Sequence, residues 1–288
     1  MKLVNFALPV DFRAMPNFDA ELTLIPCNRY NNAELTIKLR MFLDKIEVPK
    51  STGHLLFPDS DGVIHKIVPW GAYFETWKRQ FVRTAERAWH GKFWLKCPDK
   101  FARWDYEDKH MIYRPNIWCR FELQLVNSAA AAHHTIQCVR LARNGSGFRS
   151  HSTLYSNMDI RKETGYSAAP FRTNVHEVGH LLGLGHVNEA GPPSIGMGIC
   201  KINIALDVND GSNSDACYGV TPDERMDVMG AGNRMRPWHA KPWQEAAAAF
   251  SGIATNHWDA TVKRYYPRSI LEIPFPSGGW HTSRPKRL

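Results

Sequence analysis

Alternating polar and apolar residues in the first quarter of the chain predict a β-strand. Within residues 34–42 the two kinds of side chain follow a period of two, so one face can enter a core while the other meets solvent. Further on, apolar residues recur every three or four positions through residues 74–88, with charged residues between them. Gly91 follows, and glycine commonly ends a helix. The pattern therefore predicts a strand followed by an amphipathic helix.

Three later segments have strand patterns, and two segments in the last third have helix signals. Residues 116–126, 133–141 and 152–156 predict strands, the first two joined as a hairpin through an alanine-rich loop. Residues 221–224 read Thr-Pro-Asp-Glu, a capping box with proline in the first helical position. An alanine-rich helix, again begun by proline, is predicted over residues 242–250. Together these elements predict an α+β protein with a mixed sheet.

The segment His-Glu-Val-Gly-His-Leu-Leu-Gly-Leu-Gly-His, residues 176–186, contains three imidazoles and a carboxylate at the spacing of a hydrolytic metal site. On a helix, His176 and His180 project from one face and can bind one metal ion. Glu177 lies one position further round, where a general base could hold water. Gly183 can adopt positive φ and end the helix, so that the chain returns and His186 reaches the metal.

This pattern, His-Glu-x-x-His-x-x-Gly-x-x-His, resembles the signature of the metzincin clan of zinc endopeptidases. The resemblance implies that His176, His180 and His186 bind Zn²⁺, with one coordination position open to water. It also implies that Glu177 is the catalytic base and that Gly183 is the glycine of the signature. The match covers the motif and one further turn, so it is specific for the chemistry and weak for the rest of the chain.

The clan also has a methionine turn beneath its metal, and residues 225–232 offer a glycine-flanked candidate. Met229 is the predicted methionine, with Met226 as its substitute. Some metzincins add a tyrosine ligand two residues after that methionine, but this chain has Ala231 there, so no such ligand is expected. His239, soon after the turn, is interpreted as a strand or loop histidine.

The resemblance implies a metzincin-like zincin fold over residues 1–288 as a single metalloprotease domain. An N-terminal subdomain, residues 1–186, would contain a twisted mixed sheet with two long helices and end in the zinc helix. An irregular C-terminal subdomain, residues 187–288, would hold the methionine turn and a terminal helix. In the clan a substrate peptide lies along the edge strand of the sheet, and residues 150–156 are the candidate for that edge.

Composition excludes several classes of protein. The 288 residues are 43% hydrophobic, enough for a substantial core, and no stretch approaches the about 20 apolar residues of a membrane span. The formal charge of +8 favours anionic partners, but the basic residues are scattered and no nucleic-acid-binding module is recognisable. Residues 1–13 make a poor signal peptide, so we expect secretion or delivery by a route independent of one, with a cytoplasmic location as the alternative.

The cysteines and one acidic loop carry weaker signals. Cys119 and Cys138 lie in apolar strand-like segments and are predicted to be buried thiols, whereas Cys200 and Cys217 could form a disulfide. Residues 207–215 could bind calcium, but they lack the terminal glutamate of a calcium loop, so a surface loop is favoured.

The predicted function is hydrolysis of peptide bonds in a protein or peptide substrate by a monomeric zinc endopeptidase. Two alternatives stay open. One is a host- or competitor-directed effector with a narrow substrate range, whose partners would include an immunity or inhibitor protein. The other is a non-catalytic zinc-binding module, which is disfavoured because structural sites usually fill all four zinc positions with protein ligands.

Overall fold

An eight-stranded mixed sheet is the main element of this computed structural model. The structure describes residues 11–24, 33–96, 106–108, 111–113, 116–142, 147–164, 170–187, 217–262 and 269–272. Its strands are β1 (Asp11–Ala14), β2 (Asp19–Leu24), β3 (Ala33–Lys45), β4 (Leu55–Pro58), β5 (Ile64–Ile67), β6 (Phe93–Lys96), β7 (Tyr106–Asp108), β8 (Met111–Tyr113), β9 (Asn116–Leu125), β10 (His134–Val139), β11 (Leu154–Ser156), β12 (Glu163–Thr164), β13 (Pro170–Phe171), β14 (Asp259–Thr261) and β15 (Ser269–Glu272).

The predicted first strand is the centre of the main sheet. In β3 the side chains of Leu35, Ile37, Leu39 and Met41 are fully buried, which confirms the period of two. The sheet order is β1-β2-β3-β9-β6-β14, with β10 beside the C-terminal part of β3 and β11 beside β10. Strand β3 is antiparallel to β2 and parallel to β9 and β10, so the predicted α+β class with a mixed sheet is confirmed.

The sequence pattern predicted that β9 and β10 form a hairpin, and this prediction is wrong. Both strands run parallel to β3 and lie on opposite sides of it. Met41 pairs with Leu125 of β9 and with His134 of β10, so the chain crosses β3 at this residue and continues in the same direction. The alanine-rich segment forms a 3-10 turn, Ala129–Ala131, in this crossing. A short alanine loop therefore did not determine the direction of the second strand.

Four α-helices accompany the sheet in the described part of the chain: α1 (Tyr73–Trp89), α2 (Thr173–Leu181), α3 (Pro222–Arg225) and α4 (Lys241–Ser251). The amphipathic helix, the capping box that starts α3 and the alanine-rich α4 all agree with the sequence predictions. The expectation of two long helices is only half met, because α2 has 9 residues against 17 in α1. No helix among these residues has the length and apolarity to cross a membrane.

One hydrophobic core joins the sheet to helices α1, α2 and α4. It includes Trp77 and Trp89 of α1, Val178 of α2 and Trp243 of α4, so residues on both sides of His186 share it. A second cluster beneath the β4–β5 hairpin contains Val48, Ile67, Val139, Leu141 and Leu154. The first core fixes α1 and α2 against each other: the indole nitrogen of Trp89 donates to the carbonyl of Val175 over 3.1 Å.

Strand β11 contains the last three of residues 150–156, the candidate substrate edge, and it does end the sheet on that side. Its outward-facing backbone groups already have partners. Leu154 exchanges two backbone hydrogen bonds with His151, each 3.0 Å long, and the amide of Ser156 donates to a carboxylate oxygen of Asp159 over 2.9 Å. A peptide could pair with this edge only by displacing those bonds.

Candidate metal centre

Helix α2 ends in a motif that turns the chain back towards its own side chains. Gly183 has φ of +86°, the left-handed conformation that glycine adopts without strain. The amide of Gly183 donates to the carbonyl of His180 over 2.9 Å, and the amide of Leu184 donates to that of Gly179 over 3.0 Å. This pair of bonds is a Schellman motif. Gly183 thus ends the helix as the sequence predicted, and the reversal brings His186 back to α2.

The three predicted ligands converge. The Nε2 atom of His180 lies 3.0 Å from that of His176 and 3.2 Å from that of His186. The ligand nitrogens of the three histidines lie within 4.8 Å of one another. Three imidazole nitrogens bound to one tetrahedral zinc ion at about 2.0–2.1 Å would be roughly 3.3 Å apart. The spacing therefore fits a single metal ion of that size.

The hydrogen bonds of the imidazoles identify which nitrogens face the shared space. The Nδ1 of His176 lies 2.9 Å from the carbonyl oxygen of Val228, and the Nδ1 of His180 lies 2.8 Å from that of Leu184. A carbonyl oxygen only accepts, so each Nδ1 has the proton, and the two Nε2 atoms direct lone pairs at each other. Two lone pairs 3.0 Å apart repel unless a cation lies between them. The donor set therefore fits a metal ion.

Burial favours the neutral form of the His176 imidazole. The pKa of His176 lies well below its ordinary value, first because the side chain is buried and then because of the neighbouring His180 and His186. A metal binds the neutral form of imidazole, so the metal does not have to compete with a proton at neutral pH.

Glu177 points an unsatisfied carboxylate oxygen into the buried interior. The residue is 6% exposed, and no group in the described part of the chain bonds to its Oε2. Burial raises the pKa of Glu177 well above its usual value, and the charge of Asp159 adds to the shift. A nearby divalent cation would favour the ionised carboxylate of Glu177, and only this ionised form can accept a proton.

Met229 packs directly beneath α2. It is fully buried, and a Cβ placed on Gly179 would lie 2.3 Å from its sulfur. Gly179 therefore permits the close approach of the helix to the methionine turn, a role that the spacing of the motif did not reveal. Met226, the substitute candidate, is only partly buried, and Ala231 occupies the position of the clan's extra tyrosine.

Hydrogen bonds connect the methionine turn to the ligands. The carbonyl of Val228 accepts from His176, and the carbonyl of Met229 accepts from the amide of Val187, next to His186. Within the turn, the amide of Met229 donates to a carboxylate oxygen of Asp227 over 2.8 Å. The turn therefore orients the His176 imidazole directly and holds the backbone next to His186.

His239 is not a simple loop histidine, and that interpretation is wrong. It lies in a 3-10 turn, Pro237–Ala240, and is fully buried together with Asp227. Its Nε2 lies 2.7 Å from Asp227 Oδ1, and its Nδ1 accepts from the amide of Arg236 over 2.8 Å. The guanidinium of Arg236 pairs with the other oxygen of Asp227 at 2.9 Å. Asp227, which holds the methionine turn, is thus itself held by two side chains.

Three further residues near the site were missed by sequence reasoning. The ring of Tyr218 lies 4.9 Å from that of His186 and 5.7 Å from that of His176, measured between centroids. Tyr155 and Asp159 are buried, and burial, together with the charges of Glu177 and Asp159, raises the pKa of Tyr155 well above its usual value. No motif spacing links these residues to the zinc helix, so only the fold identifies them.

The remaining sequence predictions concern cysteines and calcium. Cys119 and Cys138 are free and buried, as predicted. Cys217 is disulfide-bonded, and its partner lies outside the described residues, as does Cys200, the predicted partner. The candidate calcium segment, residues 207–215, also lies outside them.

No protein-family model, curated protein or solved structure matches the chain. Any function must therefore be argued from the chemistry of the described residues.

Proposed function

We propose that the protein is a zinc-dependent endopeptidase of the metzincin type. The observation that supports this most strongly is the convergence of three imidazole Nε2 atoms, together with an unpaired, buried carboxylate oxygen on Glu177, the residue after His176. His176, His180 and His186 would hold the metal. When bound, zinc would supply Lewis acidity, which makes water a better nucleophile at neutral pH and polarises a peptide carbonyl.

Glu177 has the properties of the general base. Its carboxylate follows His176 directly in α2, and its raised pKa gives it a higher proton affinity than an exposed glutamate. In this role it would accept a proton from the attacking water and deliver that proton to the leaving amine. The buried setting would exclude bulk water from the transfer.

The methionine turn and the Schellman motif support the metzincin assignment. Met229 lies beneath α2, and Gly183 returns the chain to His186, at the positions that the signature leads one to expect. The chain departs from the expected pattern at strand β11, whose outer edge is bonded to its own turn. Substrate binding through this edge would therefore require a local rearrangement of residues 151–159.

A structural zinc module is the weaker alternative. Among the described residues, no fourth His, Cys, Asp or Glu joins the three histidines. A structural zinc site usually has four protein ligands and gives no role to an unpaired glutamate beside them. The buried, unbonded Glu177 oxygen therefore favours a catalytic site.

The disulfide at Cys217 supports a location outside the reducing cytoplasm, because disulfides persist mainly in oxidising compartments. Secretion or delivery out of the producing cell is accordingly part of the proposal. An effector with a narrow range of protein substrates would fit such a location, with an inhibitor protein in the producing cell.

Comparison of Glu177→Gln with His180→Ala tests the function. We expect Glu177→Gln to retain one zinc per chain but to lose activity by about 10²–10⁴-fold against a mixture of denatured proteins. His180→Ala should lose both zinc and activity, because it removes the ligand that lies closest to both of the others. Mass spectrometry of new peptide termini measures the cleavage. Full activity of Glu177→Gln on any cleaved substrate would contradict the proposed mechanism.

A further inference from the structure

A cavity of about 660 Å³ lies between α1, the start of α2 and the segment that follows the methionine turn. We call it the basic cavity, because five of its lining side chains are cationic and none is acidic. The cationic residues are Arg83, Arg87, Lys92, Lys162 and Arg172. The other lining residues are Thr84, Ala88, Val175, Gly232, Asn233, Met235 and Val262.

No acidic side chain within this cavity compensates its positive charge. None of the five cationic side chains forms an ion pair with an acidic side chain in the described part of the chain. Arg172 donates one hydrogen bond, from Nε to the carbonyl of Ile160 over 3.3 Å. Like charges that share a concave surface repel one another and raise the local potential, because the surrounding protein has a low dielectric constant.

A second cavity, which adjoins the basic cavity, has a mixed lining of basic and acidic residues. It occupies about 780 Å³ on the other side of α1 and shares Arg83 and Arg87, but its lining also includes Glu75, Glu86 and Glu122. Basic residues make up 36 of 288 in the chain, or one in eight, so twelve lining residues should include one or two. The basic cavity has five of twelve and lacks the acidic residues that balance its neighbour.

We propose that the basic cavity binds a small polyanion that has several phosphate or sulfate groups. Such a ligand places multiple negative charges in a compact volume, and Arg and Lys side chains are the usual partners of these groups. The volume lies within the range of cavities that hold small-molecule ligands. A single carboxylate would leave most of the five positive charges uncompensated.

The position of the cavity makes such a ligand relevant to the site. Arg172 and Val175 belong to the start of α2, and Val175 directly precedes the first metal ligand. Gly232 donates its amide to the backbone carbonyl of Asp227 in the methionine turn. A bound polyanion would therefore contact both elements that position the histidines, although it would occupy a site separate from theirs.

Calorimetric titration of the full, zinc-loaded chain with inositol hexasulfate tests the proposal, since sulfate esters bind zinc weakly. Lys92→Gln/Lys162→Gln removes two cations that line the basic cavity but not the neighbouring cavity, and Lys50→Gln/Lys66→Gln removes two exposed lysines elsewhere. We expect saturable binding that weakens by about tenfold or more in the first variant and less than about twofold in the second. The His180→Ala variant should bind as tightly as the unmodified chain.

Several results would overturn the proposal. Non-saturable binding, equal weakening in both double variants, or loss of binding in His180→Ala would each contradict it. The same holds if a decapeptide of glutamate binds and inositol hexasulfate does not. Thermal unfolding of each variant verifies that it is folded. Sedimentation with vesicles of phosphatidylinositol bisphosphate then assigns the source, because bound vesicles identify a lipid headgroup and unbound vesicles identify a soluble ligand. None of these measurements depends on peptidase activity.

Discussion

Helices α1 and α2 lie against each other but are stabilised by different interactions. Helix α1 buries an apolar stripe that includes Trp77 and Phe81 and leaves its charged residues outside. Helix α2 is buried almost all round, and its buried residues include Asn174, His176 and Glu177. The first helix is held by the hydrophobic effect, which needs only the correct spacing of apolar residues. The second depends on partners supplied by other parts of the chain.

The long-range side-chain partners of α2 come from two separate segments, α1 and the methionine turn. Asn174 donates to the carbonyl of Phe81 and to the hydroxyl of Thr84, both on α1. His176 bonds to the carbonyl of Val228. Each partner satisfies a polar group whose burial would otherwise cost about 1–3 kcal/mol. The comparison teaches that a helix with buried polar residues needs long-range hydrogen bonds to satisfy them, whereas a helix that buries an apolar stripe is stabilised mainly by packing.

The largest expected effect on stability comes from the packing helix. Trp77→Ala removes a fully buried indole that packs between Trp70 and Phe81. We expect the free energy of unfolding to fall by about 3–5 kcal/mol, while the zinc affinity of the folded protein stays unchanged. Urea unfolding and a zinc competition titration measure the two quantities. Trp77→Phe is the control, and a parallel loss of zinc affinity would remove the distinction between the helices.

A smaller loss of stability, coupled to a loss of metal affinity, is expected at His239. His239→Phe keeps a buried ring but removes the hydrogen bonds to Asp227 and to the amide of Arg236. We expect a loss of about 2–3 kcal/mol in stability and a zinc affinity about 10–100-fold weaker, because Asp227 positions the methionine turn. His90→Phe, which removes a bond to the carbonyl of Phe121, should leave the affinity unchanged. Equal affinities in both variants would show that the turn does not support the ligands.

The pH dependence of stability tests the buried carboxyl near Glu177. Burial raises the pKa of Asp159 to about 7, above the ordinary value of 3.8. Because folding takes up a proton between these values, stability is highest at low pH and falls as the pH rises through about 7. We expect metal-free protein to lose about 2 kcal/mol more than Asp159→Asn between about pH 5.5 and about pH 8. Parallel pH profiles of the two proteins would contradict this.

The smallest effect is expected at the end of α2. Gly183→Ala forces a side chain into a φ of +86°, which costs about 1 kcal/mol. The added Cβ would also lie 3.2 Å from the side-chain nitrogen Nδ2 of Asn17, which can move away because the side chain is flexible. We expect a modest loss of zinc affinity, because the turn that returns His186 is strained. Gly252→Ala at the end of α4, with φ of +74°, is the matched control and should change stability alone.

The same contrast explains which features the sequence could predict. The stripe of α1, the period of β3 and the shared face of His176 and His180 on α2 follow local periodicities, so they could be predicted from spacing alone. The hydrogen bond of His176 with Val228 and the electrostatic effect of Asp159 on Glu177 join distant segments, which no local pattern specifies. The hairpin prediction failed for a related reason, since the chain crosses β3 at Met41 and only the pairing partner determines the direction of β10.

X-ray absorption at the zinc edge is the most direct test of the central claim, that three imidazoles bind one metal and leave one position open. For the purified full chain it should show one zinc with three imidazole nitrogens and one further light atom at about 2.0–2.1 Å. Addition of a hydroxamate should change that fourth ligand only. A sulfur ligand at about 2.3 Å, or a coordination shell that the hydroxamate leaves unchanged, would contradict the account.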